Sequence, residues 1–281
     1  MDIKNLIIAF PFAIIPALCW LFIYYKKDKF DPEPKKIILQ TFFVGAAISF
    51  PFIFLRHVIL WLNIGPLFFN ETANLFLFAI LEEMAKISAA IYVVTNHKMQ
   101  FNQVIDGVVY AVTAALGFAF MENLFYLASF PNIHENILDF TYIMAFRSLG
   151  TMFAHTLFSG IAGLIWAYAY FSTQISPFNK KNLLAFEIKD WFNKEILSLH
   201  IIRKNILKAM PSRRGGHEKK VLVLEGMMLA IFLHIIFNFT TAFQVFGKNM
   251  TFLIVPVLMI GFLYISYLFT KRLNTKILRV V

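Results

Sequence analysis

Two adjacent carboxylates, Glu82 and Glu83, and an amine, Lys86, stand within little more than one helical turn inside the hydrophobic stretch FAILEEMAKISAAIYVVT, Phe78 to Thr95. An ionisable group near the centre of a membrane helix costs about 2.5–3.5 kcal/mol on insertion scales, so three together need a compensating use. On a helix Glu82 and Lys86 are one turn apart on the same face, and Glu83 stands about 100° round from Glu82. Lys86 can then hold one carboxylate ionised while the other faces a cavity. Catalysis is the use these residue types suggest. An ion pair that locks helices together and an ion pathway are the other uses of such a triplet.

More polar groups recur at membrane depth further along: Glu122 and Asn123 in FAFMEN, Arg147 and His155 in FRSLGTMFAH, and His234 and Asn238 in HIIFN. At 1.5 Å per residue, Glu82 lies about 10 Å below the outer end of its span and Glu122 about 9 Å below the outer end of the next. Asn238 shares a helix face with His234, one turn nearer the outside. These groups can line one cavity in the outer half of the bilayer. There Glu82 or Glu83 can act as general base on a water, with Lys86 tuning the pair. The histidines and Asn238 are suited to polarising a carbonyl and stabilising its oxyanion. Alternatively Glu122, His155 and His234 offer one carboxylate and two imidazoles, the ligand set of an open zinc site, with Glu82 or Glu83 again the base. No H-E-x-x-H supports the metal reading. Arg147, near the outer interface, is expected to snorkel or to pair with Glu122, and Asp106 to cap or anchor its span.

The elements that must position these groups are membrane helices. Of the 281 residues, 59% are apolar or aromatic and 15% are charged, against about 25% charged in soluble domains, and the mean hydropathy is +0.68. The expected architecture is all-α, one polytopic transmembrane bundle over residues 1–281, with seven spans, or eight if the long fifth run or the insert dips into the bilayer. The runs are Leu6 to Tyr25, Ile37 to Leu62, Leu75 to Thr95, Val104 to Ala128, Phe140 to Phe171, Val221 to Phe246 and Leu253 to Thr270.

The net charge of +10 does not indicate nucleic acid, because the basic residues sit between apolar runs. Positive-inside topology accounts for them. With the N-terminus external and the C-terminus cytoplasmic, twenty-one Lys and Arg fall inside and two, Lys4 and Lys248, outside. Residues 172–220 hold eleven of the inner ones against four acidic residues. Within that insert Leu184, Ile188, Phe192, Ile196, Leu199, Ile202, Ile206 and Met210 recur at helical spacing. Such a basic amphipathic helix should lie on anionic lipid at the cytoplasmic face, and Pro211 to Lys220 should be a hinge. The single cysteine, Cys19, excludes an internal disulfide.

Taken together, E-E-x-x-K at Glu82, Glu83 and Lys86, F-x-x-x-E-N at Phe118, Glu122 and Asn123, His155, and H-x-x-x-N at His234 and Asn238 resemble the PrsW family of intramembrane proteases. The pattern is also similar to the wider clan of CAAX prenyl proteases and bacteriocin-processing membrane proteases. Here, however, Lys86 replaces an arginine one position earlier and Glu122 stands where that clan has histidine. The resemblance implies cleavage of a single-pass membrane protein near its extracytoplasmic side, as with an anti-sigma factor. A proton- or cation-coupled transporter using the same Glu/His cluster is the runner-up.

Overall fold

A computed structural model describes residues 3–27, 31–61, 71–130, 137–171, 216–242, 244–245 and 248–249. The first helix, α1, is Ile3–Lys27; α2 is Lys35–Trp61, α3 Glu71–Asn96 and α4 Val104–Ala128. A short α5, Ile137–Phe146, runs through a π turn at Arg147–Thr151 into α6, Met152–Phe171. Helix α7 is Gly216–Ala242. Beyond it Gln244–Val245 and Lys248–Asn249 pair as two-residue antiparallel strands, and the other elements among the described residues are helices.

Among the described residues, five stretches are long and apolar enough to cross a membrane: Ile3–Lys26, Lys35–Leu55, Val104–Ala128, Ile137–Phe171 and Lys220–Thr241. Helix α3, with 26 residues, has the length of a span at about 1.5 Å per residue. Glu82, Glu83 and Lys86 lower its apolar character, which is the same feature that marks it as the site helix. The expected last span, Leu253 to Thr270, and the amphipathic repeat from Leu184 to Met210 lie outside the described residues. So do the side chains of Arg56 and His57, whose backbone is in α2.

The bundle is assembled around α4. It is buried along almost its whole length and packs on α6, α2, α1 and α3, while α7 packs on α6 and α3. A helix apolar on every face belongs at the centre of such an assembly. In α1 the stripe Ala9, Ala13, Ala17, Leu21 and Tyr24 is buried, whereas Ile3, Ile7, Phe10, Leu18 and Phe22 are exposed. The first set lets α1 approach α4 closely, and the second forms a surface suited to hydrocarbon.

Close approach is most severe where α4 meets α6 and α2. A Cβ on Gly163 would overlap the Gly107 carbonyl oxygen, and one on Gly107 would overlap the Gly163 oxygen and the Ala167 methyl. A Cβ on Gly117 would overlap the carbonyl oxygen of Phe42 in α2. Without a hydrophobic drive inside lipid, such small-residue seams provide the dispersion contacts that hold helices together. The end of the bundle where α2 and α4 begin is fastened by polar contacts. Asp106 Oδ2 accepts the backbone N–H groups of Asn102 (2.8 Å) and Gln103 (2.6 Å), the capping role expected of it. Tyr110 donates its hydroxyl to the buried Glu33, which joins the start of α2 to α4.

Two boundaries differ from expectation. The hinge was expected to extend to Lys220, but Gly216–Lys220 already belongs to α7; after Gly216, His217, Glu218, Lys219 and Lys220 include no helix breaker. The run from Phe140 to Phe171 is not uniformly α-helical, because it contains the π turn. Gly163→Val and Gly117→Val should each destabilise the bundle by at least about 1–3 kcal/mol, since backbone rather than a mobile side chain stands in the way. Thermal unfolding in detergent micelles checks this.

Candidate active site

Helix α3 brings three polar side chains to the junction with α6 and α7, and the structure divides their surroundings sharply. Glu83 is 2% exposed. Its Oε1 accepts hydrogen bonds from Lys86 Nζ (2.8 Å) and His234 Nδ1 (2.8 Å), and its Oε2 accepts one from Ser159 Oγ (3.0 Å). Three donors from three helices saturate this carboxylate, so its burial is compensated. Lys86 is fully buried. Its Nζ lies 2.5 Å from His155 Nδ1, 3.7 Å from Glu82 Oε2 and 4.9 Å from the centre of the Phe118 ring. The i,i+3 and i,i+4 spacings place this one cation against both carboxylates.

Glu82 is held differently. Its side chain is 13% exposed, and its buried Oε2 has no hydrogen-bond partner among the described residues. That oxygen lies 3.6 Å from His234 Nε2. A carboxylate at His234 Nδ1 favours the proton on that nitrogen, and in the neutral imidazole the Nε2 lone pair then faces Glu82. The His155 and His234 rings meet edge to face with centroids 5.2 Å apart. His155 Nε2 is 3.0 Å from Glu122 Oε2.

Glu122 enters from α4, with Arg147 Nη2 at 2.9 Å from its Oε1. The pairing of Arg147 with Glu122 is one of the two roles expected from the sequence. Asn238 is half-buried one helical turn beyond His234. All four helices named from the sequence therefore meet at one place. Ser159 was not singled out there, although it stands one turn from His155 on the same face of α6; a serine among GTMFAHTLFSG offers no signal until its partner Glu83 is known.

The donor atoms of Glu82, His155 and His234 all lie within 4.8 Å of one another. One carboxylate and two imidazoles form the donor set of an open catalytic zinc site. The partnerless Glu82 oxygen and the carboxylate-backed imidazole of His234 both fit a metal, the second because ligating histidines are commonly held in this way at their other nitrogen. The sequence grouped Glu122, not Glu82, with the two histidines. In the structure Glu122 Oε2 stands beside the converging group, next to His155, while its other oxygen is tied to Arg147.

The partly exposed members of the cluster are Glu82, Glu122 and Arg147, with side chains 13%, 19% and 12% exposed. The mouth of the site is therefore on their side, and Glu83, Lys86 and the histidines form its floor.

Residues 33–189 match the family described as PrsW family intramembrane metalloprotease. A Protease PrsW from Oceanobacillus iheyensis is 32% identical over 202 residues, covering 71% of this chain and 83% of that protein. Those from Geobacillus kaustophilus and Bacillus subtilis are each 31% identical over 163 and 162 residues, covering 58% and 57% of this chain and 67% and 68% of those proteins. No solved structure matches the chain. The chain belongs to the PrsW family of intramembrane metalloproteases and is an intramembrane peptidase.

Removing one member of a buried ion pair strands the other, at about 3–5 kcal/mol, whereas neutralising both removes the stranded charge. Lys86→Met should therefore lower unfolding stability by about that amount, and Lys86→Met combined with Glu83→Gln should recover part of it. Denaturant titration of the purified protein in detergent tests the order of the three stabilities.

Proposed function

We propose that this peptidase hydrolyses a peptide bond of a single-pass membrane protein near its extracytoplasmic side, with Glu82, His155 and His234 holding a divalent metal such as zinc and Glu122 acting as general base. The observation that carries this reading is the convergence of those three donor groups within 4.8 Å of one another, with a buried Glu82 oxygen that has no hydrogen-bond partner among the described residues. When bound there, the metal supplies Lewis acidity and lowers the proton affinity of water.

The chain's own residues supply the rest. Glu122 presents Oε2 beside His155 while Arg147 holds its Oε1. It is thus an acceptor fixed in direction, and it can take the proton of a water at the mouth and pass it to the leaving amine. The attacking oxygen forms the new bond to the carbonyl carbon, the C–N bond breaks, and the amine departs with the transferred proton. Asn238, on the same face of α7 as His234, orients the carbonyl with its amide.

Glu83 is assigned a supporting role. With three donors on it, it holds His234 and Lys86 in place, and Lys86 in turn holds His155. A peptide bond in a helix has its polar groups bonded internally. The substrate segment must therefore unwind locally to reach the floor of the site, which is easiest near the end of its span. An anti-sigma factor is a substrate of this form. The basic stretch 172–220 is assigned to anionic lipid at the cytoplasmic face from its sequence pattern, which also favours an external N-terminus.

Glu82→Gln and Glu122→Gln should each reduce cleavage of a single-pass membrane reporter by about 10²–10⁴-fold. His234→Ala should also strip the metal from the purified protein, as read by elemental analysis. Chelation should abolish cleavage and zinc should restore it. Cleavage that survives both Glu82→Gln and chelation would sink the reading.

A further inference from the structure

At Arg147–Thr151 the helix winds as a π turn, and the Met152 N–H reaches back five residues to the Arg147 carbonyl. In an unbroken α-helix Arg147 and His155, eight positions apart, would point about 80° away from each other. The additional residue absorbed by a π turn makes the effective spacing about seven, and the angle about 20°. Both side chains consequently reach one carboxylate. Arg147 Nη2 is 2.9 Å from Glu122 Oε1, and His155 Nε2 is 3.0 Å from Glu122 Oε2.

The turn is fastened from two other helices. Arg147 Nε donates to Asn123 Oδ1 (2.7 Å), and Asn123 Nδ2 donates back to the Arg147 carbonyl (3.3 Å). The guanidinium also lies over the Tyr126 ring, 4.0 Å from its centre. From α1, Trp20 Nε1 donates to the Ser148 carbonyl (3.0 Å), and its ring packs on Phe153 at 5.4 Å between centroids. Two carbonyls of the turn, those of Arg147 and Ser148, thus accept hydrogen bonds from side chains of α4 and α1. Asn123 is almost fully buried, so this fastening is internal and not a surface ion pair.

We propose that Arg147 is a positioning residue for the hydrolysis: mounted on the π turn and clamped by Asn123 and Tyr126, it holds Glu122 in the one orientation that brings its second oxygen to His155. Arg147 acts through Glu122 and does not touch the reacting bond. The inference rests on the assignment of Glu122 as base. A lysine in its place would keep a positive charge but lose the planar fork that grips Asn123 and Glu122 together.

The test uses the full chain in detergent or proteoliposomes, with a single-pass membrane reporter. Arg147→Ala is expected to lower kcat at least tenfold with KM within about threefold, the split that marks an interaction made in the transition state. Arg147→Lys should lie between it and wild type. The second readout is the ring ¹⁵N spectrum of histidine-labelled protein, with His155 assigned from the His155→Gln spectrum. Arg147→Ala should shift the His155 resonances. The proposal requires both effects, so an unchanged kcat or unmoved His155 resonances overturns it. Should Arg147→Ala fail to fold, Arg147→Lys carries the same two readouts. If Glu122→Gln keeps its activity, the base assignment fails and this inference with it. If Glu122→Gln is inactive while Arg147→Ala matches wild type in either readout, the positioning role alone is overturned.

Discussion

The contact between Lys86 and Glu83 is the constraint on which the site depends. A lysine with no exposed surface and a carboxylate with 2% can persist in an apolar bundle only if every donor and acceptor they carry is met. Meeting them draws in His155 on α6 at one end and His234 on α7 with Ser159 on α6 at the other. The pair therefore fixes more than its own charges. It determines how α3, α6 and α7 are rotated about their axes, and so which atoms of the two histidines are left to face the mouth. A polar network of this kind is cooperative and unforgiving, and both properties suit a site that has to be assembled from separate helices.

Such a network needs a rigid frame, because helices in lipid have no hydrophobic drive to close gaps between them. The frame is α4, against which α6 and α2 are pressed so closely that glycine is required at the crossings of Gly107 with Gly163 and of Gly117 with Phe42. The first of these seams joins the two helices that carry Glu122 and His155. Sequence leads to function here through backbone approach: without a side chain at Gly163, α6 comes near enough to α4 for a glutamate on one to meet a histidine on the other at 3.0 Å.

Much of this was legible in the sequence because an ionisable residue in an apolar run is costly and therefore informative. Glu82, Glu83, Lys86, Glu122, His155 and His234 could be chosen on that ground alone, and the equal depths of Glu82 and Glu122 indicated that they belong together. Charge left Arg147 two roles, snorkelling or pairing with Glu122, and the structure shows the second. What the sequence could not supply was rotation. Glu82 and Glu83 differ by about 100° around one helix, and no pattern within α3 tells which of them faces the histidine nitrogens. Ser159 was invisible for the same reason, since an isolated serine in a membrane helix has meaning only through its partner. The π turn was hidden more deeply. No residue type demands it, and it becomes evident only when Arg147 and His155 are seen to reach the same carboxylate.

The two neighbouring glutamates illustrate how a membrane site separates stability from reactivity. Both are chemically the same and stand in the same apolar helix, yet one is bound by three donors and the other retains an oxygen with no partner among the described residues. Had both been saturated, the cluster would be a structural lock with nothing left to do chemistry. Had neither been saturated, two uncompensated carboxylates would have to be held in a medium that solvates charge poorly. Placing the residues next to each other in sequence solves both problems at once. The 100° step of the helix directs Glu83 into the packed floor, where its donors hold His234 and Lys86 in place. The same step directs Glu82 towards the mouth, where the strain of an unmatched oxygen is tolerable because the group beside it is already rigid.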